Sequence, residues 1–112
     1  MSARDEKIAK YIEENKKLGL GLSDDLITKV TIGLGPSIYK QDAETVSCTQ
    51  ESELERIKKN YLMKKLGCEE SPQLDSAIKD VCEKMGSANR NKYRALFYAL
   101  LAQTFNKESV YA

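Results

Sequence analysis

The chain has 112 residues, enough for one domain with its own core and no need of a metal or disulfide staple. Eighteen basic residues face seventeen acidic ones, a net charge of +1, so no global field draws in nucleic acid or an anionic membrane. Histidine is absent, which removes the usual general base, the usual activator of a serine or cysteine nucleophile, and the commonest metal ligand.

The opening residues Met1-Ser2-Ala3-Arg4-Asp5-Glu6 are charged at once, which predicts no secretory signal. From about Ala3 to Leu18, Ile8, Tyr11, Ile12 and Leu18 make a thin apolar stripe on an otherwise charged segment. This spacing predicts a peripheral helix, ended by Gly19 and Gly21, with Glu6/Lys10 and Glu13/Lys17 placed for pairs one turn apart. Ser23-Asp24-Asp25 then reads as a cap and acids at a helix start. Leu26, Ile27, Val30 and Leu34 share a helical face, although Leu26/Thr28/Val30/Ile32 also fit strand alternation. Helix is preferred because no partner strand is visible. Gly33-Leu34-Gly35-Pro36 stops the element, and Pro36 to Tyr39 suits a short helical turn.

Residues 41–49 read as a polar connection, with Thr49 as the cap of a helix from about Gln50 to Leu66. Leu54, Ile57, Tyr61, Leu62 and Leu66 are its apolar face, and Gly67 its end. Ser71-Pro72 signals the next start, followed by Leu74, Ala77, Ile78, Val81, Cys82 and Met85 at helical spacing. The last helix is expected to begin near Ser87 or Asn89 and to run to about Asn106, with Tyr93, Leu96, Phe97, Leu100, Leu101 and Phe105 facing inward. As the most apolar element it belongs at the centre. The expected fold is therefore all-α: a compact single-domain bundle of about five helices over residues 1–112, with one short helical turn after Pro36. Residues 1–22 supply the peripheral helix and glycine-rich link, and residues 107–112 a short tail.

Three stretches are distinctive: Leu26 to Tyr39 (LITKVTIGLGPSIY), Leu54 to Leu62 (LERIKKNYL) and Asn89 to Tyr98 (NRNKYRALFY). On these, and on the ending Lys107 to Tyr111, the chain resembles a family of small bacterial proteins of unknown function and about this length. The resemblance implies a helical single domain of bacterial, cytoplasmic origin. It implies no activity, cofactor or catalytic residue.

The cysteines Cys48, Cys68 and Cys82 are odd in number and widely spaced, without a Cys-x-x-Cys pair. Cys82 falls on an apolar helical face and reads as a small core residue, while Cys48 and Cys68 fall in loops. The longest apolar run, Ala95 to Ala102, is too short for a bilayer, so no membrane partner is expected and the thiols are placed in a reducing cytoplasm. A redox pair, or three legs of a zinc site, is the competing reading. No metal and no cofactor are expected, since histidine and a fourth thiol are missing.

The candidate site is Asn89-Arg90-Asn91-Lys92-Tyr93-Arg94. Three cations without an acid, placed at a helix start, suit an anion through free N–H groups and the arginine fork. Asn89, Arg90, Lys92 and Arg94 are the expected ligand-binding residues; the alternative is internal pairing of Arg90 or Arg94 with acids such as Asp24, Asp25 or Asp80. A nucleic-acid version adds Arg56, Lys58, Lys59, Lys64 and Lys65, with Tyr61 or Tyr93 for stacking, but the balanced charge and the core spacing of both tyrosines oppose it. Gly33 to Ser37 lacks the lysine and preceding strand of a phosphate loop. The adjacent carboxylates Glu13/Glu14, Asp24/Asp25 and Glu69/Glu70 point in different directions and make no acid–base pair. The expectation is a non-enzymatic cytoplasmic binding or interaction module for a protein partner or small anionic ligand. A small enzyme using a cysteine and a weak nucleic-acid binder are the alternatives.

Overall fold

The computed structural model describes residues 2–86 and 88–111. Five long helices form the body: α1 (Ala3–Leu18), α2 (Asp24–Leu34), α4 (Glu51–Arg56, continued by a π-helical stretch Ile57–Lys65), α5 (Pro72–Lys84) and α6 (Arg94–Thr104). A 3-10 turn (Gly35–Tyr39) follows α2, as the proline at its start directs, and a single-turn helix α3 (Gln41–Glu44) occupies the expected polar connection. Among the described residues there is no strand; Thr45 and Tyr93 form one isolated antiparallel bridge.

Local chemistry accounts for most boundaries. Ser2 and Ser23 accept from Asp5 N and Leu26 N, capping α1 and α2. Gly19 closes α1 with a left-handed backbone at φ 65°. The β-branched run of α2 is helical, with the hydroxyls of Thr28 and Thr31 donating to Asp24 O and Ile27 O one turn back. Thr49 does not cap α4: its hydroxyl meets Ser47 Oγ, and Gln50 holds the cap position without a side-chain bond. In the wide π turns, Ile57, Tyr61, Leu62 and Leu66 are all buried.

The core is one cluster drawn from every long helix, with α6 at its centre. Seven of the eleven residues of α6 are buried, from Ala95 to Ala102, whereas α1 buries only Tyr11 and Asn15. Asn15 locks the glycine-rich link, since its amide both donates to and accepts from the backbone of Leu22. The expected Glu6/Lys10 pair gives way to a longer-range contact. Glu44 of α3 accepts from Lys7 (2.8 Å), Lys10 (3.2 Å) and the hydroxyl of Tyr11 (2.7 Å), which ties α1 to the body. The tail docks: Glu108–Tyr111 form a 3-10 turn, Tyr111 donates to Tyr61 Oη, and Tyr61 donates to Tyr98 O, both at 2.8 Å.

Burial of Glu44 opposes its ionisation, but the hydrogen bonds from Lys7, Tyr11 and Lys10 outweigh it and hold the carboxyl below the usual range. Because the folded value lies below the unfolded value of 4.5, this contribution is present above that pH and lost as pH falls through the folded value. Glu44→Gln is therefore expected to flatten the acid limb of stability. Urea midpoints between about pH 6 and pH 3 test this, and equal slopes in both proteins reject it.

Candidate functional site

The last helix begins later than its sequence suggests, and this reshapes the candidate site. Ser87, one of the two expected starts, lies outside the described residues, and α6 starts at Arg94, not near Asn89. Asparagine chemistry is the reason. Asn89 Nδ2 donates to Met85 O (3.0 Å), and its Oδ1 accepts from Asn91 N (2.9 Å), so the side chain closes a turn that competes with helix. Downstream, Tyr93 N donates to Asn91 O, Val46 N donates to Lys92 O and Thr45 pairs with Tyr93, which holds residues 92–93 out of the helix. Asn89, Arg90 and Lys92 thus precede the helix, and its N-terminal N–H groups are not their anion cradle.

Arg94 is internally paired. Its Nε donates to Ala43 O (2.7 Å), Nη1 to the Tyr98 hydroxyl (2.9 Å), and Nη2 to Glu53 and to Thr45 O. The partner acid is Glu53 of α4, not Asp24, Asp25 or Asp80. Both side chains of the pair are largely buried. Arg94 therefore fixes the 43–45 segment and α4 against α6.

The remaining cations stand elsewhere. Lys92 is 6% exposed, and its ammonium donates to Asn89 O (2.5 Å) but forms no ion pair among the described residues. An ammonium has three donors, and a buried one without a counter-charge is costly. Arg90 is exposed and likewise forms no ion pair among the described residues. Both line an open, polar groove of about 920 Å³. One wall is the 88–92 loop; the other, absent from the sequence-based expectation, carries Gln41, Asp42, Thr45, Ser47, Cys48 and Thr49. The groove's second acid, Glu53, is already held by Arg94 and by Arg56 at 3.3 Å.

Cys48 is bonded to Cys82, with Cα atoms 6.1 Å apart, and Cys68 is the free thiol. This corrects the reading of Cys82 as a reduced core residue. Cys82 lies at the half-buried margin of the α5 face, and the 46–50 segment folds over it because Val46 is buried and bridged to Lys92. No sequence spacing signals such a pair, since the residues stand 34 apart.

The second basic strip is largely neutralised: Lys58 meets Asp75, Lys59 meets Glu55 and Arg56 meets Glu53. Tyr61 is buried and stacks on Tyr98 at 3.9 Å, so its face is not open to a base. Among the described residues no helix is long and apolar enough to cross a membrane.

The family described as Protein of unknown function (DUF2853) matches residues 10–109, and the chain belongs to it. No curated protein matches the chain.

Removing Arg94 leaves the largely buried Glu53 with only the exposed Arg56 as its cation, and takes the donors from Ala43 O, Thr45 O and the Tyr98 hydroxyl. Arg94→Met is thus expected to lower stability by roughly 3–5 kcal/mol, and Glu53→Gln on that background to restore part of it. Urea denaturation of the four-protein cycle measures this; additive losses would remove the pair from the account. Reduction of Cys48–Cys82 is expected to cost roughly 3–4 kcal/mol, because the cross-link restricts the unfolded chain. Matched melts of oxidised and reduced protein check it, and coincident curves contradict it.

Proposed function

We propose that the protein is a non-enzymatic, cytoplasmic binding module whose groove between residues 41–50 and 88–92 takes a small anionic ligand. The observation that carries this reading is Lys92, a nearly buried side chain on the groove wall whose ammonium donates to a neutral carbonyl and meets no acid among the described residues. An incoming carboxylate or phosphate oxygen supplies the missing counter-charge. Arg90, exposed on the same wall, adds a planar fork. Asn89 shapes the loop that presents both, and Arg94 seats the facing 43–45 segment rather than touching ligand.

The groove's polarity supports the same class of ligand. Hydroxyls of Thr45, Ser47 and Thr49 and the amides of Gln41 and Gln50 line it, and these bond an oxyanion without large apolar contact. With Glu53 held by two arginines, Asp42 is the counter-charge left on the far wall. Two cations facing one acid favour a small anion over a polyanion.

Titration of the isotope-labelled protein with succinate and with inorganic phosphate tests the reading by NMR. The amides of residues 45–50 and 88–92 are expected to move together. Combined Arg90→Gln and Lys92→Met should weaken binding about tenfold or more, the effect of about 1.4 kcal/mol. Amides that stay still under both anions reject the groove as a ligand site.

A further inference from the structure

The ligand class can be narrowed from what stands beside the two cations. Cys48 lines the groove; Cys82 and Cys68 do not. The Cys48–Cys82 bond thus lies at the edge of the polar groove, on the Cys48 side. Both cysteines are half-buried at the margin of the core rather than within it. The core itself is continuous through all five long helices, and a chain of this length does not depend on a staple to fold. A peripheral disulfide that shares its groove with Lys92 and Arg90 has the surroundings of an exchangeable bond, because cations in the same groove stabilise an approaching thiolate.

We infer that the groove is a thiol–disulfide exchange site, in which a small acidic thiol is held by Arg90 and Lys92 and attacks Cys48. The inference rests on the anion-binding reading of the same groove and adds to it the ligand's reactive group. The thiol's carboxylate meets the cations, and its thiolate sulfur bonds to Cys48 Sγ. The Cys48–Cys82 bond breaks, and the electron pair leaves with Cys82 Sγ, which takes a proton from water. A second molecule of thiol attacks the external sulfur of the mixed disulfide and frees the Cys48 thiol. The balance is one protein disulfide and two small thiols giving one protein dithiol and one small disulfide. The same small disulfide, as oxidant, runs the sequence backward. Reduction also unties the 46–50 wall of the groove from α5, so the state of the bond and the shape of the ligand site are linked.

Exchange kinetics on the full-length oxidised protein test this. Reduction by 3-mercaptopropionate, 2-mercaptoethanol and cysteamine is followed by mass spectrometry. Each rate is divided by that thiol's rate on hydroxyethyl disulfide, to remove intrinsic reactivity. The normalised rate for the anionic thiol should exceed that for the cationic one about tenfold at low salt and converge at high salt. Arg90→Gln with Lys92→Met should abolish the preference, so that the three normalised rates converge, because only the charge on the thiol's second group distinguishes the reagents. Acid-quenched wild-type protein should carry the mercaptopropionate adduct on Cys48. Equal normalised rates, an adduct on Cys82, or failure of the two cysteines to pair under an oxidised thiol buffer overturns the inference. Succinate binding with charge-blind exchange removes the exchange role alone, whereas silence to succinate and phosphate removes the binding reading as well.

Discussion

The guanidinium of Arg94 is the point through which the functional half of the molecule is held together. It sits at the first residue of α6 and reaches Glu53 on α4, the carbonyls of Ala43 and Thr45, and the Tyr98 hydroxyl. These groups come from separate parts of the chain. A planar fork with five donors suits such a junction, because each acceptor fixes the plane for the next. The partial burial of the pair makes it a matter of specificity as much as of stability, since a buried charge tolerates few arrangements. The 43–46 segment is seated this way, and so the groove's far wall is seated too.

Around that junction the molecule divides its labour. The α6 helix supplies the interior, and the loop just before it supplies the charged wall. The change happens within a few residues. Up to Tyr93 the backbone is turned and bonded to 45–46; from Arg94 it is helical, and from Ala95 mostly apolar. A buried helix following the loop gives Arg90 and Lys92 a fixed base, which a free loop would lack. Glu44 performs a lesser version of the same task, with one carboxylate gathering three donors of α1.

Much of this architecture is written in local patterns. The α1 and α2 starts follow from serine caps, and the buried faces of α4, α5 and α6 from apolar spacing. The β-branched α2 was ambiguous because its pattern fits two periods, and the hydroxyl back-bonds of Thr28 and Thr31 are compatible with only one. The site was half readable. Arg90 and Lys92 stood out as cations without acids, but their helix did not extend that far, because Asn89 and Asn91 bond to each other and an isolated bridge has no sequence period. Non-local events were silent. The choice of Glu53 by Arg94, and of Cys82 by Cys48, is decided by how helices pack, and neither spacing nor composition encodes that.

One small position carries a constraint on how such chains can vary. Gly33 lies inside α2 at ordinary helical geometry, where glycine costs roughly 0.5–1 kcal/mol relative to alanine. A methyl group built there would rest 3.5 Å from the ring edge of Tyr111, which is ordinary contact. Alanine therefore fits, and a longer side chain must direct its outer atoms away from the ring to leave Tyr111 in its seat beside Tyr61. The shape of a residue at 33 and the placing of the tail ring are accordingly linked, although 78 positions separate them in the chain.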